Sequence, residues 1–127
     1  MWPRVQAEMG AGRKQSHWIW FVFPQIAGLG LSFRSAHIGI RSREEAGAYL
    51  AHPILGARLR EITELVLKVE GRSAHDIFGS PDDLKFQSSM TLFNAVEPND
   101  IFAAALDKYY AGQRDNRTLE ILHEIEN

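Results

Sequence analysis

The chain of 127 residues has no cysteine, which removes disulfides, thiolate metal sites and thiol nucleophiles together. It has no apolar run approaching the roughly 18 residues a membrane-spanning helix needs. Its first residues lack the basic region, apolar core and small-residue cleavage site of a secretory signal. No membrane association and a cytoplasmic address are therefore expected. A large net charge is missing too. Sixteen acidic side chains face fourteen basic ones, for a formal charge of −2, so no global field draws in a nucleic acid and any basic patch has to be local. Internal repeats, low-complexity tracts and long linkers are also absent. What remains is 45% hydrophobic and 24% charged, the composition of a globular protein. At this length one core buries roughly two-thirds of the unfolded surface, so residues 1–127 are expected to form a single domain.

One stretch stands apart, Gly12 to Gln25, GRKQSHWIWFVFPQ. Arg13 and Lys14 lead through Ser16 and His17 into Trp18, Trp20, Phe21 and Phe23, and Pro24 ends the run. The segment is too apolar to face water and carries its charges at one edge. It is expected to be the central element around which helices pack, with a polar lip. Its period is ambiguous: a helix capped by Ser16 and stopped before Pro24, or a buried strand. A helix is preferred, because no second strand of similar quality is present to pair with it.

Elsewhere helical signals dominate. Trp2, Val5 and Met9 lie at helical spacing and are closed off by Gly10 and Gly12. Gln25 to Gly39, rich in glycine and serine, reads as a loop. Its Gly28-Leu29-Gly30 is a fragment of a nucleotide-binding glycine pattern without the strand or acidic residue that pattern needs. Ser42 and Glu45 have capping-box spacing for a helix to about Ala51. Pro53 fits the first position of the next helix, and Leu55, Leu59, Ile62, Val66 and Val69 form one apolar stripe up to Gly71. Ser73 to Phe78 allows a short turn. Ser80, Pro81, Asp82 and Asp83 make a helix start ahead of a face carrying Phe86, Met90 and Phe93. A further helix covers Ile101 to Tyr110. The last begins near Asp115 or Asn116, with Leu119, Leu122 and Ile125 on one face and Asp115 and Thr118 capping it. The sum is an all-α domain, a bundle of about six or seven helices.

Chemistry-bearing residues are scattered. Of the five histidines, His17, His37, His52, His75 and His123, no two stand at i, i+4 with an acid between them, so no metal site is expected. His52, directly before Pro53, reads as a helix-start residue. No cofactor motif is present. A Ser-His-Asp set can be drawn from Ser88 or Ser89, His17 and Asp82 or Asp83, but the nucleophile elbow G-x-S-x-G is absent. Asp82 and Asp83 also suit the positive end of a helix dipole, and Ser88 and Ser89 suit close helix packing. The richest combination is Arg13, Lys14, Ser16, His17 and Trp18. Cationic groups hold phosphate or carboxylate, and an indole accepts a stacked base or a cation. The plainer reading makes the aromatics core and leaves Arg13 and Lys14 to solvate the edge.

In order along the chain, GRKQSHWIWFVFPQ, AGLGLS, EAGAYLAHPILGARL, IFGSPDDLKFQSSMTLF and YYAGQRDNRTLEIL resemble an uncharacterised bacterial family of small helical proteins. The family is a domain of unknown function whose members are sometimes called calpastatin. The resemblance implies a mostly helical single domain and supplies no activity or catalytic residue. Nothing here looks like a disordered protease inhibitor. Relatives have a further stretch before the equivalent of Val5, so the first helix is expected to be shortened, and Gln87 stands where the family has arginine.

Three functions compete on these grounds. The first is binding of, or action on, an anionic nucleotide-like or phosphorylated small molecule. There Arg13, Lys14, Ser16, His17 and Trp18 meet Asp82, Lys85, Ser88 and Ser89 across a cleft, with His17, Asp82 and Asp83 as the candidate catalytic groups. The second is a protein–protein interaction module presenting Trp2, Tyr109 and Tyr110. The third, nucleic-acid binding, lacks a basic face.

Overall fold

Every position from Ser88 to Asn94 is buried. One stripe of an α-helix cannot supply that run, so over these residues the helix is enclosed by neighbours on all sides. The computed structural model describes residues 2–16, 18–29 and 39–126, with the backbone alone at Trp20, Phe21 and Glu126. In chain order the helices are α1 (Trp2–Gly10), α2 (Ile19–Val22), α3 (Arg43–Ala51), α4 (Leu55–Leu67), α5 (Ala74–Phe78), α6 (Asp82–Val96), α7 (Phe102–Tyr110) and α8 (Asn116–Glu126). The enclosed helix is α6, which touches α2, α3, α5, α7 and α8. A second hub, α4, touches α1, α2, α3 and α7. The protein is therefore all-α. Among the described residues β pairing is limited to one parallel bridge, Ile26 with Ile40, and no helix is long and apolar enough to cross a membrane.

The centre is thus α6 and not the aromatic run. That run contributes a single turn, α2, laid against α4 and α6. Trp18, Ile19 and Phe23 are buried in the common core. The expected helix from Ser16 fails at its start, because the Ser16 hydroxyl bonds to Glu8 and caps nothing. Of the following loop, Gln25 to Leu29 and Gly39 to Ile40 are described. Ala27 N–H donates to the Ile40 carbonyl and Ile40 N–H to that of Gln25, each at 2.7 Å. The glycine fragment at Gly30, with His37, lies outside the described residues.

Capping signals were partly relocated by tertiary geometry. Ser42 accepts from Glu45 N–H at 3.0 Å, but the Glu45 carboxylate takes the Arg41 N–H at 3.1 Å, so the box at α3 is only half made. The complete box is at α5, where Ser73 and Asp76 exchange bonds of 3.1 and 3.0 Å. Pro53 does not open α4. His52 Nδ1 accepts from Ile54 and Leu55 N–H at 3.1 Å each, and the helix begins at Leu55. Ser80 likewise leaves α6 without a side-chain cap, and Pro81 sits at the boundary.

Two threonine hydroxyls inside the core are spent locally. Thr63 donates to the Leu59 carbonyl at 2.8 Å and Thr91 to that of Gln87 at 2.8 Å, which satisfies them within their own helices. On α8 the inward face is Thr118, Ile121 and Leu122, while Leu119 and Ile125 are exposed, so the stripe is rotated from the one expected. Asp115 causes the rotation. Its carboxylate accepts the Thr118 N–H at 3.1 Å and the Thr118 hydroxyl, and its own N–H donates to Thr91 Oγ1 at 2.9 Å. This ties the start of α8 to α6 and turns Thr118 inward.

Candidate functional site

After α1 the chain turns at Gly12, whose φ of +72° and whose position against the Val69 side chain both favour glycine. The next residues run back along α1 and are fastened by one carboxylate. Glu8 accepts from Gln15 N–H (2.8 Å), Ser16 N–H (3.1 Å), the Ser16 hydroxyl (2.6 Å) and the Trp18 indole N–H (2.8 Å). Burial pushes the Glu8 carboxyl up. The bonds from Ser16, Gln15 and Trp18 together outweigh it and hold the group near about 2, against an ordinary 4.5.

That shift sets a pH dependence. Because the folded value is depressed, the stabilisation is fully present above about 4.5 and is lost as pH falls towards about 2. Glu8 is half-buried, so solvent screening trims the ideal value to on the order of 2 kcal/mol. Urea melts across that range are expected to show the loss in the parent. In Glu8→Gln the acid limb should be flatter, and stability near neutral pH already lower. Parallel acid limbs would remove Glu8 from this role.

Lys14 comes next. Its N–H donates to the Ile77 carbonyl at 2.7 Å, pinning the segment to α5. Its ammonium lies 5.1 Å from the centre of the Trp18 ring and 2.6 Å from Asp82 Oδ2, with only 5% of the side chain exposed. Lys85 Nζ lies 3.8 Å from the other Asp82 oxygen. Two ammonium groups thus face one carboxylate at the first turn of α6. Beside it, Asp83 Oδ2 is 3.5 Å from His75 Nδ1, and the Asp83 carbonyl accepts the Tyr110 hydroxyl. Burial, then the nearby Asp83, push the Tyr110 phenol up, so it stays a neutral donor.

The structure brings Lys14, Trp18, Asp82 and Lys85 together and leaves Arg13 exposed beside them. Trp18 is 1% exposed with Lys14 over its ring, so it positions the lysine and offers no open face to a base. Ser16 is bound to Glu8. Ser88 points away, its hydroxyl 3.1 Å from the Leu84 carbonyl and 3.0 Å from the Asp115 carboxylate, which separates it from Asp82. Ser89 stands with Asp82 and Lys85 on one helical face by its i, i+3, i+7 spacing. It is fully buried, and its hydroxyl has no hydrogen-bond partner among the described residues; the amide nitrogen of Gln25 is in the same condition. His17 lies outside the described residues. Among them no group of three His, Asp or Glu side chains is arranged to hold a metal ion.

Gln87 donates to the Gln113 carbonyl at 2.9 Å, a surface tie between α6 and the turn before α8. Tyr109 and Tyr110 direct their hydroxyls inward to the Val66 and Asp83 carbonyls, and Trp2 stacks against Arg58. These aromatics are therefore engaged within the fold. Glu8, the residue that holds the lip in shape, carries no signal in the sequence, because its donors lie seven to ten positions away and meet it only through the chain reversal at Gly12.

The fold and this lip define a small multihelical protein built on two hub helices, with a lysine–aspartate–lysine cluster at the start of the inner one. The chain belongs to the family described as protein of unknown function, DUF1810, whose family model matches residues 1–122. It is similar to the conserved hypothetical protein Rv1873 from Mycobacterium tuberculosis, with a TM-score of 0.93 and 54% identity over 96% of this chain and 88% of that one. No curated protein matches the chain.

Proposed function

We propose that the protein binds a phosphorylated, nucleotide-like small molecule at the lip formed by Lys14, Asp82 and Lys85, with the exposed Arg13 next to it in the chain. The observation carrying this reading is the convergence of two ammonium groups on one carboxylate, at 2.6 and 3.8 Å, at the positive end of the longest helix. A phosphate joining the cluster would meet the longer of the two contacts, at Lys85, without displacing the pair that keeps Lys14 buried. Binding is favoured over catalysis, because both Asp82 oxygens face ammonium groups and Asp83 Oδ1 accepts the Leu84 N–H at 2.9 Å.

A thermal-shift screen against nucleotides, ADP-ribose and sugar phosphates tests it, comparing the parent with Arg13→Ala and Lys85→Ala. Trp18 is a poor choice for truncation, since a buried indole removed costs about 3–5 kcal/mol of stability whatever the ligand. A compound at 100 times its dissociation constant adds about 2.7 kcal/mol, a rise of roughly 10 °C. That rise should shrink in Lys85→Ala. An undiminished rise in both variants, or none with any phosphorylated compound, would remove the lip as a binding site.

A further inference from the structure

Apart from the lip, a cavity of about 270 Å³ lies between the first four helices, lined by Trp2 and Val5 of α1, Val22 of α2, Tyr49 of α3, and Leu59 and Arg58 of α4. Its walls are apolar except at the rim. The volume lies between the roughly 150 Å³ that holds a benzene ring and the roughly 300 Å³ where drug-sized pockets begin, so its occupant is small: about two fused rings or a short acyl chain.

The polar groups limit the choice further. Arg58 holds its guanidinium 5.1 Å from the Trp2 ring centre, and among the described residues no carboxylate lies within ion-pair distance of it. Glu61, one turn further along α4, is engaged by the Gln6 amide at 3.2 Å. Tyr49 adds a phenol with no hydrogen-bond partner among the described residues, and burial pushes that phenol up, so it remains a donor. The guanidinium and the phenol both present donors, and neither is hydrogen-bonded to a side chain among the described residues. The matching ligand group is an acceptor of negative charge with two oxygens, which a guanidinium binds in bidentate fashion.

We infer that this cavity binds a small amphiphilic carboxylate, its apolar body among Trp2, Val5, Val22 and Leu59 and its carboxylate on Arg58 at the rim. The site shares no residue with the Lys14–Asp82–Lys85 cluster and does not depend on it.

Calorimetric titration with 2-naphthoate and 2-naphthamide, which have the same bicyclic body with and without the charge, tests the assignment. The parent should bind one naphthoate, on the order of tenfold more tightly than the amide, as a charge-assisted pair implies. Arg58→Gln should bring the acid down to the affinity of the amide and leave the amide unchanged. Leu55→Trp, at a lining position 40% exposed and so tolerant of size, should abolish both by filling the cavity. Thermal melts would show that both variants stay folded. Lys85→Ala should leave naphthoate binding intact. No saturable binding of either compound overturns the inference, as does an equal loss of acid and amide in Arg58→Gln. Loss of naphthoate binding in Lys85→Ala would move the site to the lip.

Discussion

Replacing Gly56 with alanine is expected to destabilise the protein by about 3 kcal/mol or more, enough to lower the melting temperature by roughly 10 °C or leave the chain unfolded. In an ordinary helix the change goes the other way, since alanine is favoured over glycine by about 1 kcal/mol. Here packing wins. A Cβ at position 56 would stand 2.0 Å from the Leu50 carbonyl oxygen and 2.7 Å from its carbon. Those are backbone atoms, so no side-chain rotation relieves the overlap and α3 would have to lift off α4. The same carbonyl accepts from Arg60 Nη1 at 3.1 Å, while Arg60 Nε holds Asp100 at 2.9 Å, so the displacement would spread towards α7. Tyr49 and Leu59 sit on the two helices that would separate, and the cavity between them should be lost with the corner. Urea melts of Gly56→Ala beside Ala57→Ser, at the exposed neighbouring position, give the comparison. Equal stability of the two would mean that the α3–α4 corner opens at no cost.

Phe86→Ala should cost about 3–5 kcal/mol, or roughly 10–20 °C. Phe86 is fully buried at the meeting point of the aromatic residues. It is 4.6 Å from Phe78 in a stacked arrangement and 4.8 Å from Phe23 edge to face, with Tyr109 and Tyr110 at 6.5 and 6.4 Å. Its removal takes away area and leaves a void that the packed residues around it collapse only partly to fill. Phe86→Leu should cost no more than about 1.5 kcal/mol, because most of the volume is kept. Leu84, two positions earlier but 59% exposed, should tolerate alanine within about 0.5 kcal/mol. Phe78 and Ile77 are adjacent, and Ile77 holds the Lys14 backbone, so in Phe86→Ala the lip should loosen together with the core. A Phe86→Ala protein as stable as Leu84→Ala would show that the aromatic cluster is not the centre of the fold.

The helical periods of α4 and α6 were legible along the chain, as was the cap at Ser42. So was the burial of Trp18 and Phe23, because it follows from residue type and local spacing. The membership of the lip was legible only in part. Lys14, Asp82 and Lys85 could be nominated from their chemistry. That Ser16 turns to Glu8 and Ser88 to Asp115 could not, since both partners are supplied by other segments. The start of α4 shows the same limit, with His52 capping through its ring nitrogen where proline rules point to Pro53.

Composition and periodicity, then, were enough for an all-α architecture, since amphipathic spacing and the lack of pairable strands point to helices. Which helix lies innermost, which way α8 faces, and whether a lysine is solvated or locked against an aspartate were decided by packing. Those outcomes depend on contacts between residues far apart in the chain, whose energies do not exist until the helices are brought together.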